Sequence, residues 1–128
     1  MALDIGTKRI GVALSDFLQI TTNGVCCVPR TPEDEAIKSI IKLANENKVE
    51  KIVIGLPLNM DGSHGFQADD CKTFAGKLNG FDIIFEDERL TSEQAEENLR
   101  ERKINFRKDK SLVDIESARI ILEQHLGK

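Results

Sequence analysis

The opening stretch, MALDIGTKRIGVALSD, constrains the chain most. An apolar run from Met1 to Leu3 leads into Asp4. Ile5 and Gly6 then precede a basic turn, Thr7-Lys8-Arg9, and a second apolar run, Ile10 to Leu14, ends at Ser15-Asp16. This spacing predicts two strands joined by a tight turn. Asp4 falls at the end of the first strand, and Gly6 lets the backbone turn and come close to a bound group. A carboxylate on a strand end is held more rigidly than one on a loop, which suits a metal ligand or a general base. An ordinary hairpin with a capping Asp fits the same residues.

A chain of 128 residues is expected to form one domain, 1–128, with a real core. Charged residues at 31% and apolar residues at 40% are the balance of a soluble globular protein. No apolar run approaches the roughly 20 residues that span a bilayer, so no membrane role is expected. The first strand begins almost at Met1, with no signal peptide, which is expected of a cytoplasmic protein. Cys26 and Cys27 are adjacent in an apolar run and Cys71 stands alone; with His64 and His125 they form no zinc pattern, and structural roles are expected. A net charge of -4 argues against a protein coated by nucleic acid, although a local basic patch suffices for binding.

Along the chain, Gly24 to Val28 reads as a third strand, and the three sequential strands should pair antiparallel. Thr31-Pro32-Glu33-Asp34-Glu35 reads as a helix start, with Thr31 as cap and Pro32 at the first helical position. Ile37, Ile40, Ile41 and Ala44 continue it as an amphipathic stripe. Ile52 to Leu56 is a buried strand after a helix, hence a parallel crossover. The glycine-rich loop Leu58 to Gly65 follows it, at the strand end where α/β sheets usually carry function. Helical spacing returns at Phe66, Ala68, Cys71, Phe74, Ala75 and Leu78. Phe81 to Phe85 is a further strand ending in Glu86-Asp87-Glu88-Arg89. Thr91 or Ser92 then caps a helix, and a last helix covers Leu112 to Leu126. The block 100–110, RERKINFRKDK, is basic, opposed within itself by Glu101 and Asp109 alone, and reads as a helix end and a loop. The order β-β-β-α-β-α-β-α-α describes a mixed α/β sheet with helices on both faces.

Three acids hold privileged places: Asp4 at the end of strand one, Asp87 at the end of strand five, and Asp114 in the first turn of the last helix. Parallel strands one, four and five would put Asp4 and Asp87 on one edge, and a packed helix can bring Asp114 to them. Carboxylates this close repel one another. A divalent cation removes that cost, and hard oxygen donors favour magnesium or manganese. Lys8, Arg9 and Arg89 stand beside these acids and can contact phosphate, arginine as a bidentate fork. Arg107 and Lys108 in the basic block could extend a track along a nucleic-acid backbone. The structural alternatives are helix capping by Asp114, an Asp87–Arg89 ion pair, and a merely solvated basic block.

Four ordered stretches then carry a resemblance over almost the whole chain: LDIGTKRIGVALSD, VIGLPLNMDGSHG, DERLTS and VDIESARIIL. The sequence closely resembles the YqgF family, described as pre-16S ribosomal RNA nucleases and as Holliday-junction-resolvase-like proteins. The resemblance implies a ribonuclease H-like fold, a mixed five-stranded sheet with helices on both faces. It carries an acidic metal site, for Mg2+ or Mn2+, onto Asp4, Asp87 and Asp114, with Glu88 as a substitute or supporting acid. It carries nucleic-acid contacts onto Lys8, Arg9 and Arg89, and a loop onto Asn59, Asp61, Gly62 and Ser63. The implied activity is a metal-dependent endonuclease maturing the 5′ end of pre-16S ribosomal RNA, its partner a structured RNA, free or in ribosomal particles. Rival readings are cleavage of branched DNA by a symmetric pair of chains and a noncatalytic RNA-binding assembly factor. Monomer or weak homodimer is expected. The turn Asp4-Ile5-Gly6-Thr7 also resembles the phosphate turn of sugar kinases and actin, but those need two domains around a nucleotide.

Overall fold

Alternation of large and small residues along the first two strands sets the architecture. The computed structural model describes residues 1–15, 22–57, 61, 65–87, 91–105 and 109–127. Strand β1 (Ala2–Ile5) turns into β2 (Arg9–Ser15), which pairs with β3 (Thr22–Pro29). Helix α1 (Glu33–Glu46), strand β4 (Lys51–Leu56), helix α2 (Phe66–Ala75) and strand β5 (Asp82–Asp87) follow. Helices α3 (Thr91–Glu101) and α4 (Ser111–His125) end the chain. The sheet order is β3-β2-β1-β4-β5, antiparallel in the β1–β2 and β2–β3 pairs and parallel in β1–β4 and β4–β5. Element order and the mixed five-stranded sheet agree with the sequence reading.

Successive strand residues point to opposite faces. Leu3, Ile5, Ile10, Val12, Ile52, Ile54 and Leu56 line one face and pack with α1 and α2, around Ala36, Ile40, Cys71 and Phe74. The opposite face carries Ala2, Ala13 and Val53 under α4, which contributes Ala118, Ile121 and Leu122. Helices α1 and α2 therefore rest on branched aliphatics, whereas α4 approaches a surface of small side chains. The buried positions Ala36, Ile40 and Ala44 recur every four residues, the period of a helix face.

Two local expectations are corrected. Pro32, with ψ 141°, is the N-cap of α1, and its carbonyl accepts from Ala36 N at 3.1 Å; Thr31 makes no cap and the helix starts at Glu33. Phe66 is 85% exposed and takes no part in the core. The buried stripe of α2 starts at Ala68, and residues two apart on a helix do not share a face. The Thr91 and Ser92 caps lie outside what is described of those side chains.

Helix α4 is tied to its neighbours by charge as well as by apolar contact. Glu116, 5% exposed, accepts from Asn98 of α3 at 3.3 Å, from Arg102 at 2.8 Å and from Arg119 Nε at 3.0 Å. Arg119 also pairs with Glu123, which accepts from Thr22 of β3 at 3.0 Å. Arg102 and Arg100, the latter paired with Glu96, thus have acidic partners outside the basic block. Burial alone would push the Glu116 carboxyl up, but hydrogen bonding to Arg119 and Asn98 and the charge of Arg102 outweigh it and hold the group below its ordinary value.

Two stability measurements follow from this packing. Phe74→Ala, at a fully buried site, should cost about 3–5 kcal/mol in urea unfolding, whereas Phe66→Ser should stay within about 0.5 kcal/mol of the parent. Because the Glu116 pKa is lowered on folding, its contribution is complete above the unfolded value of about 4.3 and is lost as pH falls through the lower folded value. Unfolding free energy followed from pH 6 downward should therefore fall less steeply in Glu116→Gln than in the parent.

Candidate functional site

Gly11 decides where α4 lies. A Cβ built on Gly11 would stand 2.0 Å from the backbone oxygen of Asp114, so no side chain fits between β2 and the first turn of α4. Gly11 is paired with Asp4 across the β1–β2 ladder. The first turn of α4 is thereby set over the strand position opposite Asp4. A glycine inside a strand pattern is the sequence signal of such a close approach, and it was legible in RIGVALS.

Arg9 completes this corner. Its Nε donates to Asp114 Oδ2 at 2.7 Å, and both side chains are partly open to solvent. The hydrogen bond and charge of Asp114 raise the Arg9 pKa. Lys8, the neighbouring turn residue, is exposed. Cys27 stands opposite Gly11 in the β2–β3 ladder. Burial, and then the charge of Asp114, push its thiol up to about 11. Without a bound cation it is protonated at neutral pH. The Asp114 carboxylate at this corner is a hard oxygen donor, which fits a hard divalent cation.

Asp87 is placed differently from the sequence expectation. It ends β5 in register with Leu56, a core residue of the α1 and α2 face. Asp4 lies on the pleat of Ala2, which is the α4 face. Extending the β1–β4 register by one step from Leu3↔Ile54 sets Asp4 level with Gly55, whose β5 partner is Glu86. Glu86, not Asp87, thus shares the Asp4 pleat, and its Oε1 lies 3.1 Å from Nδ1 of His125. Among the described residues no three of His, Cys, Asp and Glu are placed to hold one metal ion, so Asp4, Asp87 and Asp114 do not form such a trio. Glu88, Arg89, Asn59, Gly62, Ser63, His64, Arg107 and Lys108 lie outside the described residues.

Sequence reasoning missed Arg30, the residue after β3. It is 8% exposed. Its NH1 donates to the carbonyl of Gly6 at 3.0 Å, and its guanidinium grips both carboxylate oxygens of Asp70 at 3.1 and 2.9 Å. It also lies 4.9 Å from the Phe74 ring centre. Nothing in the local sequence marks it, because its partners come from the β1–β2 turn and from α2.

A mixed five-stranded sheet carrying an aspartate at the end of β1, a second aspartate at the start of a terminal helix and an acidic end to β5 defines a ribonuclease H-like domain. A fowlpox virus resolvase, solved with its substrate Holliday junction DNA, has the same fold: TM-score 0.58 at 12% identity, covering 98% of this chain and 94% of that one. The chain belongs to the RuvX family, whose model, described as Holliday junction resolvase, matches residues 1–128. Similar curated proteins carry the name "Putative pre-16S rRNA nuclease". One from Trichormus variabilis is 39% identical, covering 98% of this chain and 85% of its own length. One from Picosynechococcus is 41% identical, with coverages of 98% and 90%. One from Natranaerobius thermophilus is 39% identical, with coverages of 100% and 93%.

The α4 contact has a direct test. Gly11→Ala should destabilise the protein by about 1–3 kcal/mol or more, since backbone must move. Gly24→Ala puts its Cβ 2.4 Å from Cγ2 of Ile115, so this stiff β-branched side chain must shift, but no backbone atom lies nearer than 3.8 Å. It should cost visibly less in the same urea titration.

Proposed function

We propose that this chain is a metal-dependent endonuclease that matures the 5′ end of pre-16S ribosomal RNA. The observation that supports this is the seating of the first turn of α4 on Gly11, the residue in register with Asp4, together with the Arg9–Asp114 ion pair. The names of the similar proteins supply the substrate. Asp4 and Asp114 would hold Mg2+ or Mn2+, with a further carboxylate from the end of β5. Asp87 is one candidate for that place. Glu88, the next residue in the sequence, is the other. The bound ion would supply Lewis-acid activation of water and charge neutralisation at the leaving oxygen.

The protein's own residues have separable tasks in this reading. Arg9 balances the charge of Asp114 through Nε and keeps part of its side chain exposed for a phosphate oxygen. Lys8 would add positive charge near the end of β1 and Arg89, two residues after Asp87 in the sequence, would add more; Asn59 and Ser63, between β4 and α2 in the sequence, would offer hydrogen bonds. Arg107 and Lys108 extend contact along the backbone of the RNA. No described helix is long and apolar enough to cross a membrane. Cleavage of branched DNA is the second reading, favoured by the description of the family model.

The test is cleavage of a pre-16S RNA fragment in Mg2+ or Mn2+, with a four-way DNA junction in parallel. RNA cuts should require metal and fall at least about 100-fold in Asp4→Asn and Asp114→Asn. Comparing Asp87→Asn with Glu88→Gln identifies the third acid, as the one whose loss is of the same order. Junction cuts alone would replace the RNA reading with the DNA one. RNA binding without any cleavage, unchanged in Asp4→Asn, would make the protein an assembly factor.

A further inference from the structure

We infer that Arg30 is a positioning residue for the acidic site: it fastens the β1–β2 turn from beneath and so fixes Asp4, Lys8 and Arg9 for catalysis. This deepens the nuclease reading and rests on it.

Turn 6–8 connects the strand that ends in Asp4-Ile5 with the strand that starts at Arg9. Its own closure is one backbone bond, Gly6 N to Arg9 O at 2.8 Å. A Cβ on Gly6 would stand 2.8 Å from that same oxygen, so the closure is tight. Two turn carbonyls are then taken by Arg30. Lys8 O accepts from the Arg30 amide at 2.9 Å, and Gly6 O accepts from its guanidinium at 3.0 Å. The adjoining carbonyl of Ile5 faces the Cys71 thiol at 3.8 Å. The underside of the turn is thus held by β3 and α2, while its upper side faces Asp114 through Arg9.

The guanidinium is itself immobilised. Asp70 engages it with both oxygens, Glu33 approaches at 3.4 Å, and the fully buried Phe74 ring lies 4.9 Å away. Arginine suits this task because its planar fork can serve a carboxylate and a carbonyl together. A buried charge cluster is not needed to stabilise a core, since well-packed apolar residues often do as well. What it adds is direction: each donor has a single acceptor geometry, and the turn inherits it. Catalytic groups held by such a supporting layer lose rate when displaced by about 1 Å, by about 100-fold.

The experiment compares the parent with Arg30→Met, Arg30→Lys and Asp70→Asn. It reads cleavage of the pre-16S fragment in Mn2+, urea unfolding, and amide hydrogen exchange in turn 6–8 against the central strand β4. In folded Arg30→Met, kcat should fall about 10- to 100-fold, with a smaller rise in KM from the loosened Lys8 and Arg9. Turn amides should exchange faster while β4 amides keep the parent rate. Arg30→Lys should not restore kcat, as a compact tetrahedral ammonium lacks the planar fork that takes both Asp70 oxygens side by side while reaching Gly6 O. A folded Arg30→Met with parental kcat overturns the proposal. Should Arg30→Met fail to fold, Asp70→Asn decides: a loss of kcat supports the role and a parental value overturns it. If the parent cleaves no RNA, the nuclease reading fails separately, and turn exchange alone then decides for or against Arg30.

Discussion

Everything at the site depends on one close approach, the first turn of α4 lying directly on Gly11. Helix and strand backbones cannot come this near if the strand residue carries a Cβ at the contact. The approach is possible because, under α4, this face of the sheet carries Ala2, Gly11, Ala13 and Gly24. The opposite face, with Leu3, Ile10, Ile52 and Ile54, keeps α1 and α2 at ordinary packing distance. Asp4 lies on the small-residue face, so it points to where α4 delivers Asp114.

Charge reinforces both sides of this arrangement. Above the sheet, Glu116 joins α4 to α3 through Asn98 and Arg102, and Arg119 with Glu123 joins it to β3. Below it, Arg30 joins the β1–β2 turn to α2 through Asp70. Both centres are nearly buried and both are fully partnered, which is the condition for a buried charge to be tolerated. A helix held in this way keeps its first turn in register over Gly11, and a turn held in this way keeps Lys8 and Arg9 beside Asp4. Only Ser117 Oγ, among the described buried side-chain atoms, lacks a hydrogen-bond partner.

Much of the fold was legible in the sequence. Strand and helix order, the antiparallel hairpins and the parallel crossovers come from local periodicity and from connection length, which are properties of neighbouring residues. The same reasoning erred where a residue sat at an element boundary. Phe66 begins α2 two places before its buried stripe, and Thr31 lies one residue too early to cap α1. Over its described residues the basic block is a helix end and a loop as read, while Arg100 and Arg102 find acidic partners, Glu96 and Glu116, outside it. At the site, Asp4, Asp114 and Arg9 were legible as candidates; the structure pairs Arg9 with Asp114 and lays the first turn of α4 on Gly11, the residue in register with Asp4. Asp87 was legible as a strand-end acid, but a one-residue step along β5 puts it on the other pleat from Asp4.

The sequence by itself determined which elements form and in what order, the family, and the acidic and basic residues available for chemistry. These follow from spacing, turn chemistry and ordered motifs, all of which are local. Only the tertiary structure decided which of those residues meet. Gly11 with Asp114, Cys27 with Gly11, Arg30 with Gly6 and Asp70, and Glu86 with His125 are each joined across the sheet or between layers. Such meetings depend on strand register and on how closely a helix can approach a given face. Those are set by packing of the whole core, and no window of sequence contains them.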